Sequence, residues 1–551
     1  MLPTSAIVLT VGLIFLFFWT PSSQNLHIEQ PFIIILLILL TVLPAIIVFI
    51  AGKIIAIRNR HSIINPFITS ILGFVASLLS VSCFVIQIYW LQIPIYLLKS
   101  PFPKFTNSKT FLIIILLVIS FLLCKLALFR IRKKNDETLT AKSYFLPDIK
   151  LMFIPSLPFL VSLLISDTID IMPLNIRIFF VTHNYIYWFI IMGIAIFMFI
   201  KSPFFIRRIW SARSLESGEI RNRILSMAER NNIKFGDILV WNMSGRRIAN
   251  AGMAGLLPKS RTIFITDFLL HNFTLDEIET IIAHEFGHIK MGHIPAYIIF
   301  SFAYLSISGM LYSLMLPTIN HISSNETFSA LLSGVFIVTL FFVYFVLIFR
   351  FVSRIFERQA DIYAVKITGK PDSFKDALMK VAYVNQIMIR NPRIFKIFAT
   401  HPSISERLEL IDKVVNDQNT VRNYNRIAFN LKRSLLLLFI VLVALWITSR
   451  DLIFPPSELH YEIGRQYAIE GMIDQAIAEF NKVVDLNSKS DQAFYALGLL
   501  YMEKGAIIEA KEKFQRALEI NPKNAMAFNK LMQLQEMENK NGGVNEAIKQ
   551  N

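Results

Sequence analysis

Long apolar runs, broken by short charged loops, dominate the first 450 residues. A helical membrane crossing takes about 20 apolar residues. Such runs cover roughly Ser5–Thr20, Pro31–Ile57, Pro66–Leu98, Thr110–Phe129, Leu151–Ser166, Tyr185–Ile206, Ala296–Leu316, Ser329–Val352 and Ser434–Thr448. The first, fifth and last are short, and the fifth contains Pro155 and Pro158. The first has neither a positively charged lead nor a small-residue cleavage site, so it reads as a retained helix, not a signal peptide. The last either crosses or lies in the interface. Between the sixth and seventh runs the pattern becomes amphipathic. Thr274-Leu-Asp-Glu277 has the form of a capping box, and Ile278, Ile281 and Ile282 give one apolar face to a helix running to about His293.

The loops differ in charge. Pro21–Gln30 has no Lys or Arg, whereas Lys53, Arg58 and Arg60 follow the second run. The three lysines of 99–109 break the alternation slightly. Six Lys and Arg fill Arg130–Lys150, Arg177 stands alone in the next loop, and Lys201, Arg207, Arg208 and Arg213 follow the sixth run. Basic loops stay on the cytoplasmic side. This places the N-terminus, residues 207–294 and residues 353–432 in the cytoplasm, and the 317–328 loop outside. A crossing by Ser434–Thr448 then puts the tail outside.

Composition agrees with a polytopic helical membrane protein. The chain is 54% hydrophobic with 48 Phe. Its net charge is +16, yet residues 451–551 hold eleven Lys and Arg against fifteen Asp and Glu, so the positive excess lies beside the apolar runs. Membrane orientation accounts for that charge, and no basic-aromatic pattern argues for nucleic acid. Cys83 and Cys124 sit inside apolar runs, which fits packing and implies no disulfide framework.

His284-Glu285-Phe286-Gly287-His288 carries the candidate chemistry. Histidines four apart share one helix face, so both imidazoles can reach a single Zn²⁺, with Glu285 beside it to accept a proton from water. A catalytic zinc takes a third protein ligand. Glu357, after the second membrane hairpin, is the candidate. Asp361, one turn on, can fix the tautomer of a liganding histidine. His293 lies five residues past His288 on another face and reads as a helix-end residue. His27, His61, His183, His271 and His321 have no partner pattern.

H-E-F-G-H, a hydrophobic hairpin, S-R-I-F-E-R-Q-A-D at Ser353–Asp361, and Thr400-His-Pro-Ser403 with Glu406-Arg407 occur in that order. The set resembles the membrane zinc metallopeptidase family of HtpX-type heat-shock proteases and CAAX prenyl endopeptidases. Asn250-Ala251, Gly255 and Ile263–Leu270 are similar to the strand region before that family's zinc helix. The resemblance covers about residues 210–412. It implies that His284, His288 and Glu357 bind one Zn²⁺, that Glu285 is the general base, and that Asp361 supports a histidine ligand. It further implies that His401 stabilises the oxyanion and that Asn250 and Ala251 lie on an edge strand that pairs with substrate backbone. Arg407 reads as a structural ion-pair residue. Six spans before the zinc helix are more than HtpX-type proteins have.

A 34-residue repeat closes the chain. Gly464, Tyr467, Gly471, Ala476, Phe480 and Asn487 recur as Gly498, Tyr501, Gly505, Ala510, Phe514 and Asn521. This resembles tetratricopeptide repeats, with 523–538 a third, capping helix and 539–551 frayed. Such a tail is a partner-binding groove, or else a helical spacer or dimer contact.

The expected fold class is mostly α: a polytopic helical membrane protein with a small α+β zincin-like metalloprotease domain and a C-terminal α-solenoid. The divisions are a multi-span region 1–206, a metallopeptidase domain 207–432 interrupted by a hairpin at 296–352, a last helix 433–450, and a repeat tail 451–551. The expected function is an integral-membrane zinc endopeptidase acting on membrane or membrane-associated proteins, in a bacterial-type inner membrane. A scaffold or chaperone, or a sensor-transducer whose tail controls the inner domain, are the alternatives.

Overall fold

The computed structural model describes residues 4–17, 30–58, 66–91, 113–135, 139–243, 247–322, 326–385, 387, 389–390, 401–448, 455–522 and 524–536. The lysine loop 99–109 and the polar stretch 539–551 lie outside them. The described chain is mostly helical. The first part contains α1 (Thr4–Phe17), α2 (Gln30–Arg58), α3 (Pro66–Val85), α4 (Ile114–Asn135), α5 (Ala141–Asp170), α6 (Leu174–Thr182) and α7 (Asn184–Ile209). The middle part adds α8 (Glu219–Arg230), α9 (Asp267–Asn272), α10 (Leu275–Lys290), α11 (His293–Ile322), α12 (Glu326–Phe342), α13 (Phe349–Thr368), α14 (Pro371–Val384), α15 (Ile404–Asn416) and α16 (Gln418–Thr448). The tail is α17 (Pro456–Ile469), α18 (Ile473–Leu486), α19 (Asp491–Glu503) and α20 (Ile507–Ile520), with 525–536 also helical.

Seven of the described helices are long and apolar enough to cross a membrane. Their outer faces stay apolar and uncovered. Phe32, Ile34, Ile35, Ile38 and Leu39 of α2 are exposed, as are Leu436, Leu437, Ile440 and Val441 of α16. In water such faces would carry a large hydrophobic cost; against lipid they carry none. The last apolar run, short in the sequence pattern, is the C-terminal half of the 31-residue helix α16, and its candidate span is Gln418–Leu445. At its other end, α1 packs Val8, Leu9, Val11 and Phe15 against Phe84, Ile88 and Leu117 of the helices around it.

A small mixed sheet lies between the membrane parts. Strands β1 (Arg213–Ser214), β2 (Asp237–Trp241), β3 (Ala251–Ala254) and β4 (Thr262–Thr266) run in the order β1-β2-β4-β3, with β2 and β4 parallel and the outer pairs antiparallel. All five residues of β4 are buried, as a strand covered on both faces requires. The strand region expected over Ile263–Leu270 stops at Thr266. There the Thr266 hydroxyl accepts from the Leu269 N–H and starts α9, as an N-cap side chain does.

Helix α10 begins as its sequence indicates. Thr274 and Glu277 form a reciprocal capping box, with the Thr274 N–H donating to Glu277 at 2.7 Å. Lys380 also holds Glu277, while Lys370 bridges Asp276 and Glu279. Helix α10 ends earlier than its pattern implies. Met291 caps it and Gly292 takes φ +68°, in the left-handed region that glycine enters without strain. His293 therefore starts α11 and does not end α10.

Helix α10 packs on α13, and Gly287 sits at their closest approach. A Cβ there would come within 2.8 Å of the Ala360 Cα. Replacing Gly287 by Ala should therefore push α10 off α13. We expect a loss of about 1–3 kcal/mol, read as a lower thermal midpoint in detergent, together with weaker metal retention. An unchanged midpoint would show that the contact is slack.

Candidate metal centre

Two helices and a loop build the site. His284, Glu285 and His288 come from α10; Glu357 and Asp361 come from α13; His401 lies two residues before Ser403, which opens the capping box of α15. Periodicity puts His284 and His288 one turn apart on the side of α10 that meets α13. Glu357 and Asp361 have the same spacing on the facing helix. The close approach at Gly287 then brings the two pairs together.

His284 Nε2 and His288 Nε2 are 3.3 Å apart. Glu357 Oε2 is 3.4 Å from the first and Oε1 is 3.5 Å from the second. The three residues offer ligand atoms that all lie within 4.8 Å of one another. Nitrogens at about 2.0–2.1 Å from a tetrahedral zinc would lie about 3.3 Å apart, so the spacing fits. The donor set, two imidazoles and a carboxylate, fits as well. Three electron-pair donors facing one point repel unless a cation or proton lies between them.

The far side of His284 is fixed. Its Nδ1 lies 2.8 Å from Asp361 Oδ1. Arg407 grips the same carboxylate with both arms, Nη2 to Oδ1 at 2.6 Å and Nε to Oδ2 at 2.9 Å. Asp361 is fully buried, so this bidentate pairing offsets the cost of burying its charge. Arg407 thus stands behind the site, holding the residue that holds His284.

The same charges set the protonation states. Burial pushes His284 down, but the Asp361 and Glu357 carboxylates outweigh it and raise His284 to about 10. Burial drives His288 down to about 4, with Glu357 opposing it only in part. Burial raises the Glu285 carboxyl to about 7 against the attraction of His284. A carboxyl near neutrality suits a group that must take and return a proton.

The remaining sequence candidates fall around this centre. His401 is more than half exposed, with Nδ1 2.8 Å from Glu357 Oε2. Together with His288 and Glu357 it lines a cavity of about 270 Å³ whose other walls include Tyr297, Phe345 and Phe349. Ala251 opens β3, an edge strand that runs against α10. Asn250 spends its own backbone groups on Thr266, at 3.0 and 2.9 Å. Antiparallel alternation then turns the Ala251 and Met253 groups to the open edge. Asn385 steadies this segment by bonding both backbone groups of Ala249. Sequence reasoning missed Asn385, and no local signal points to it. It also misread His293, which is buried with Nδ1 2.9 Å from His288 Nδ1.

These states make metal uptake pH-dependent. At pH 7 the metal-free His284 keeps a proton that a divalent ion must displace. Apparent affinity should rise roughly tenfold per pH unit through neutrality and level off as pH approaches about 10. Competition titrations from pH 6 to 8, paired with calorimetry in buffers of different ionisation enthalpy, would measure the proton released. A pH-independent affinity would contradict the charged state of His284.

Parts of the chain match known proteins. Residues 214–415 match the profile of peptidase family M48. Residues 464–505 match a TPR repeat and 491–524 a tetratricopeptide repeat. CAAX prenyl protease 1 of Saccharomyces cerevisiae is 29% identical over 225 residues, covering 36% of this chain and 49% of that protein. The uncharacterized metalloprotease YhfN of Bacillus subtilis is 27% identical over 242 residues, 42% of this chain and 56% of that protein. Protease HtpX of Legionella pneumophila is 26% identical over 228 residues, 38% and 80% respectively. The chain thus spans about half the length of the first two relatives. The crystal structure of S. mikatae Ste24p aligns with TM-score 0.48 and 19% identity, over 70% of this chain and 99% of that one. The chain is an integral membrane protein in which residues 214–415 match peptidase family M48 and the C-terminal part matches tetratricopeptide repeats.

Proposed function

We propose that this protein is an integral-membrane, zinc-dependent endopeptidase that cuts membrane or membrane-associated proteins. The observation that carries the reading is the convergence of His284, His288 and Glu357, with Glu285 one residue from His284 on the same helix. These three residues would hold one Zn²⁺, which when bound acidifies a water and polarises the peptide carbonyl. Glu285 takes the water's proton and passes it to the leaving amine. Asp361, backed by Arg407, keeps the His284 lone pair turned inward. His401 offsets the charge that builds on the carbonyl oxygen. An extended substrate strand would lie along β3 and pair with Ala251, with Asn250 at its end. No covalent enzyme intermediate is required.

The cavity beside the metal residues favours apolar substrate. Its aromatic walls belong to the membrane hairpin, and Ile7 of α1 also reaches it. A chain segment leaving the bilayer would meet this cavity first, which fits a role in membrane-protein quality control.

The proposed catalytic unit is 207–432, interrupted by the hairpin, with the repeat tail beyond α16. Loop charge and one contact between α6 and the tail bear on sidedness. Helix α7 separates α6 from the metal domain, and α16 separates that domain from the tail; each is a candidate span. Arg177 of α6 pairs with Glu470, at the end of α17. Two segments that touch share a side of the membrane. Lys201, Arg207, Arg208 and Arg213 support a cytoplasmic metal domain. The tail and α6 then face the extracytoplasmic space of a bacterial-type inner membrane, where the tail can engage a protein partner.

Two experiments test this reading. Glu285→Gln should keep one equivalent of zinc yet lower cleavage of an unfolded model protein by about 10²–10⁴-fold. Cleavage by the variant at the unmodified rate would remove Glu285 as the base, and absence of zinc from both forms would remove the reading itself. For sidedness, single cysteines at Glu503 and at Glu229 are placed in a chain whose Cys83 and Cys124 are replaced by Ala. In intact cells an impermeant maleimide should label the first and spare the second; the reverse pattern would invert the topology.

A further inference from the structure

We infer that His293, Gln359 and two residues of α16, Asn425 and Lys432, form a positioning arm that fixes the tautomer and orientation of His288. The inference rests on the metal-site reading above. It assigns work to four residues that neither the motif nor the pairing at Asp361 explains.

The hydrogen-bond chain has only one consistent polarity. Lys432 donates from Nζ to Gln359 Oε1 at 3.4 Å, and to the Met291 carbonyl at 2.7 Å. The Gln359 amide nitrogen donates to Asn425 Oδ1 at 2.9 Å. A flipped Gln359 would set its NH₂ against the ammonium, so Oε1 must face inward. His293 Nε2 lies 3.0 Å from that oxygen and is therefore the protonated nitrogen. His293 Nδ1 then carries a lone pair and faces His288 Nδ1 at 2.9 Å. His288 must donate there from Nδ1–H, which leaves its Nε2 lone pair free and aimed at Glu357 and His284.

The arm is rigid. His293 is fully buried and stacks on Phe356 with ring centroids 4.4 Å apart and planes within 4°. Gln359 is buried as well. Both imidazoles of the candidate site therefore have their outer nitrogen committed. His284 is held by a charged carboxylate–arginine pair, and His288 by a neutral imidazole–amide chain. Because α16 supplies the end of that chain, the helix leading to the repeat tail is part of the metal site. The left-handed turn at Gly292 is what allows His293 to fold back on His288.

The test is zinc affinity of the full chain in detergent, by competition with a chromophoric chelator, with the thermal midpoint of the metal-free form as a folding control. His293→Phe keeps the stack on Phe356 but cannot accept from His288; it should weaken zinc binding about 10–100-fold. His293→Gln can accept and donate, and should stay within a few-fold of the unmodified chain. Gln359→Glu keeps the acceptor, whereas Gln359→Leu removes it, so this pair decides the matter if the Phe variant does not fold. Co²⁺ spectra of the loaded variants should report altered ligand geometry for Phe and Leu only. Unchanged affinity in His293→Phe and Gln359→Leu overturns the inference, as does equal weakening in His293→Gln and His293→Phe. An unmodified chain that binds zinc but cleaves nothing would sink the endopeptidase reading and leave the arm standing, since the arm is read through affinity.

Discussion

The near-contact of two helix backbones at Gly287 and Ala360 is the constraint on which the site depends. Helix α10 brings His284 and His288, and α13 brings Glu357 and Asp361, each pair at one-turn spacing. Imidazole and carboxylate side chains are short, and converge only if the helix axes lie unusually close. Glycine on one side and alanine on the other provide that closeness. The buried surface around them, Ile278, Ile282 and Phe286 on α10 with Tyr363 and Ala364 on α13, belongs to one continuous apolar core. Packing energy is thus spent on bringing polar groups together that would otherwise repel.

That repulsion is the second half of the problem. Glu357 and Asp361 are both buried carboxylates, one turn apart. An unpaired buried charge costs several kcal/mol. Asp361 is neutralised by Arg407 from α15 and shares its oxygen with His284. Glu357 faces His284, His288 and His401, with Oε2 2.8 Å from His401 Nδ1 and 3.4 Å from His284 Nε2. Within the centre, then, one acid is paired with a guanidinium and the other meets only imidazoles. That asymmetry distinguishes the surroundings of Asp361 from those of Glu357.

Much of this was legible in the chain itself. The spacing within H-E-F-G-H, the spacing of Glu357 to Asp361, and the capping boxes at Thr274 and Ser403 are local patterns, and local patterns survive in sequence. The repeat tail was legible for the same reason: Gly464 and Gly498 recur because each lies where Phe480 or Phe514 needs room. What stayed hidden was non-local or depended on a turn. Asn385 reaches Ala249 across 136 residues, and Gln359 reaches Asn425 across 66; nothing in either neighbourhood encodes the pairing. His293 was misread because the helix was carried through Gly292, whose left-handed turn reverses where the next side chain can reach. Ile263–Leu270 was read as a strand region from the family resemblance, although its Thr266-Asp267 pair is a helix start.

The membrane hairpin gives these contacts an order. Helices α11 and α12 separate α10 from α13 in the chain, and the run Phe328–Thr368 holds 41 residues. At about 1.5 Å per residue it is roughly twice as long as the apolar core of a bilayer is thick. Its apolar part ends near Arg350, so Glu357 and Asp361 ride on an extension that projects from the membrane into the metal domain. The α-helical run is also widened into a π-helical turn at Val343–Ile348. Tyr344 in that turn donates to the Phe300 carbonyl of α11, while Phe345 and Val346 line the cavity. The hairpin therefore sets the rotation and height of α13 relative to α10. An error of one residue there would turn Glu357 by about 100° and remove it from both histidines. The same helices that anchor the protein in lipid thus fix the register of Glu357 against His284 and His288, and the apolar wall they present borders that cluster.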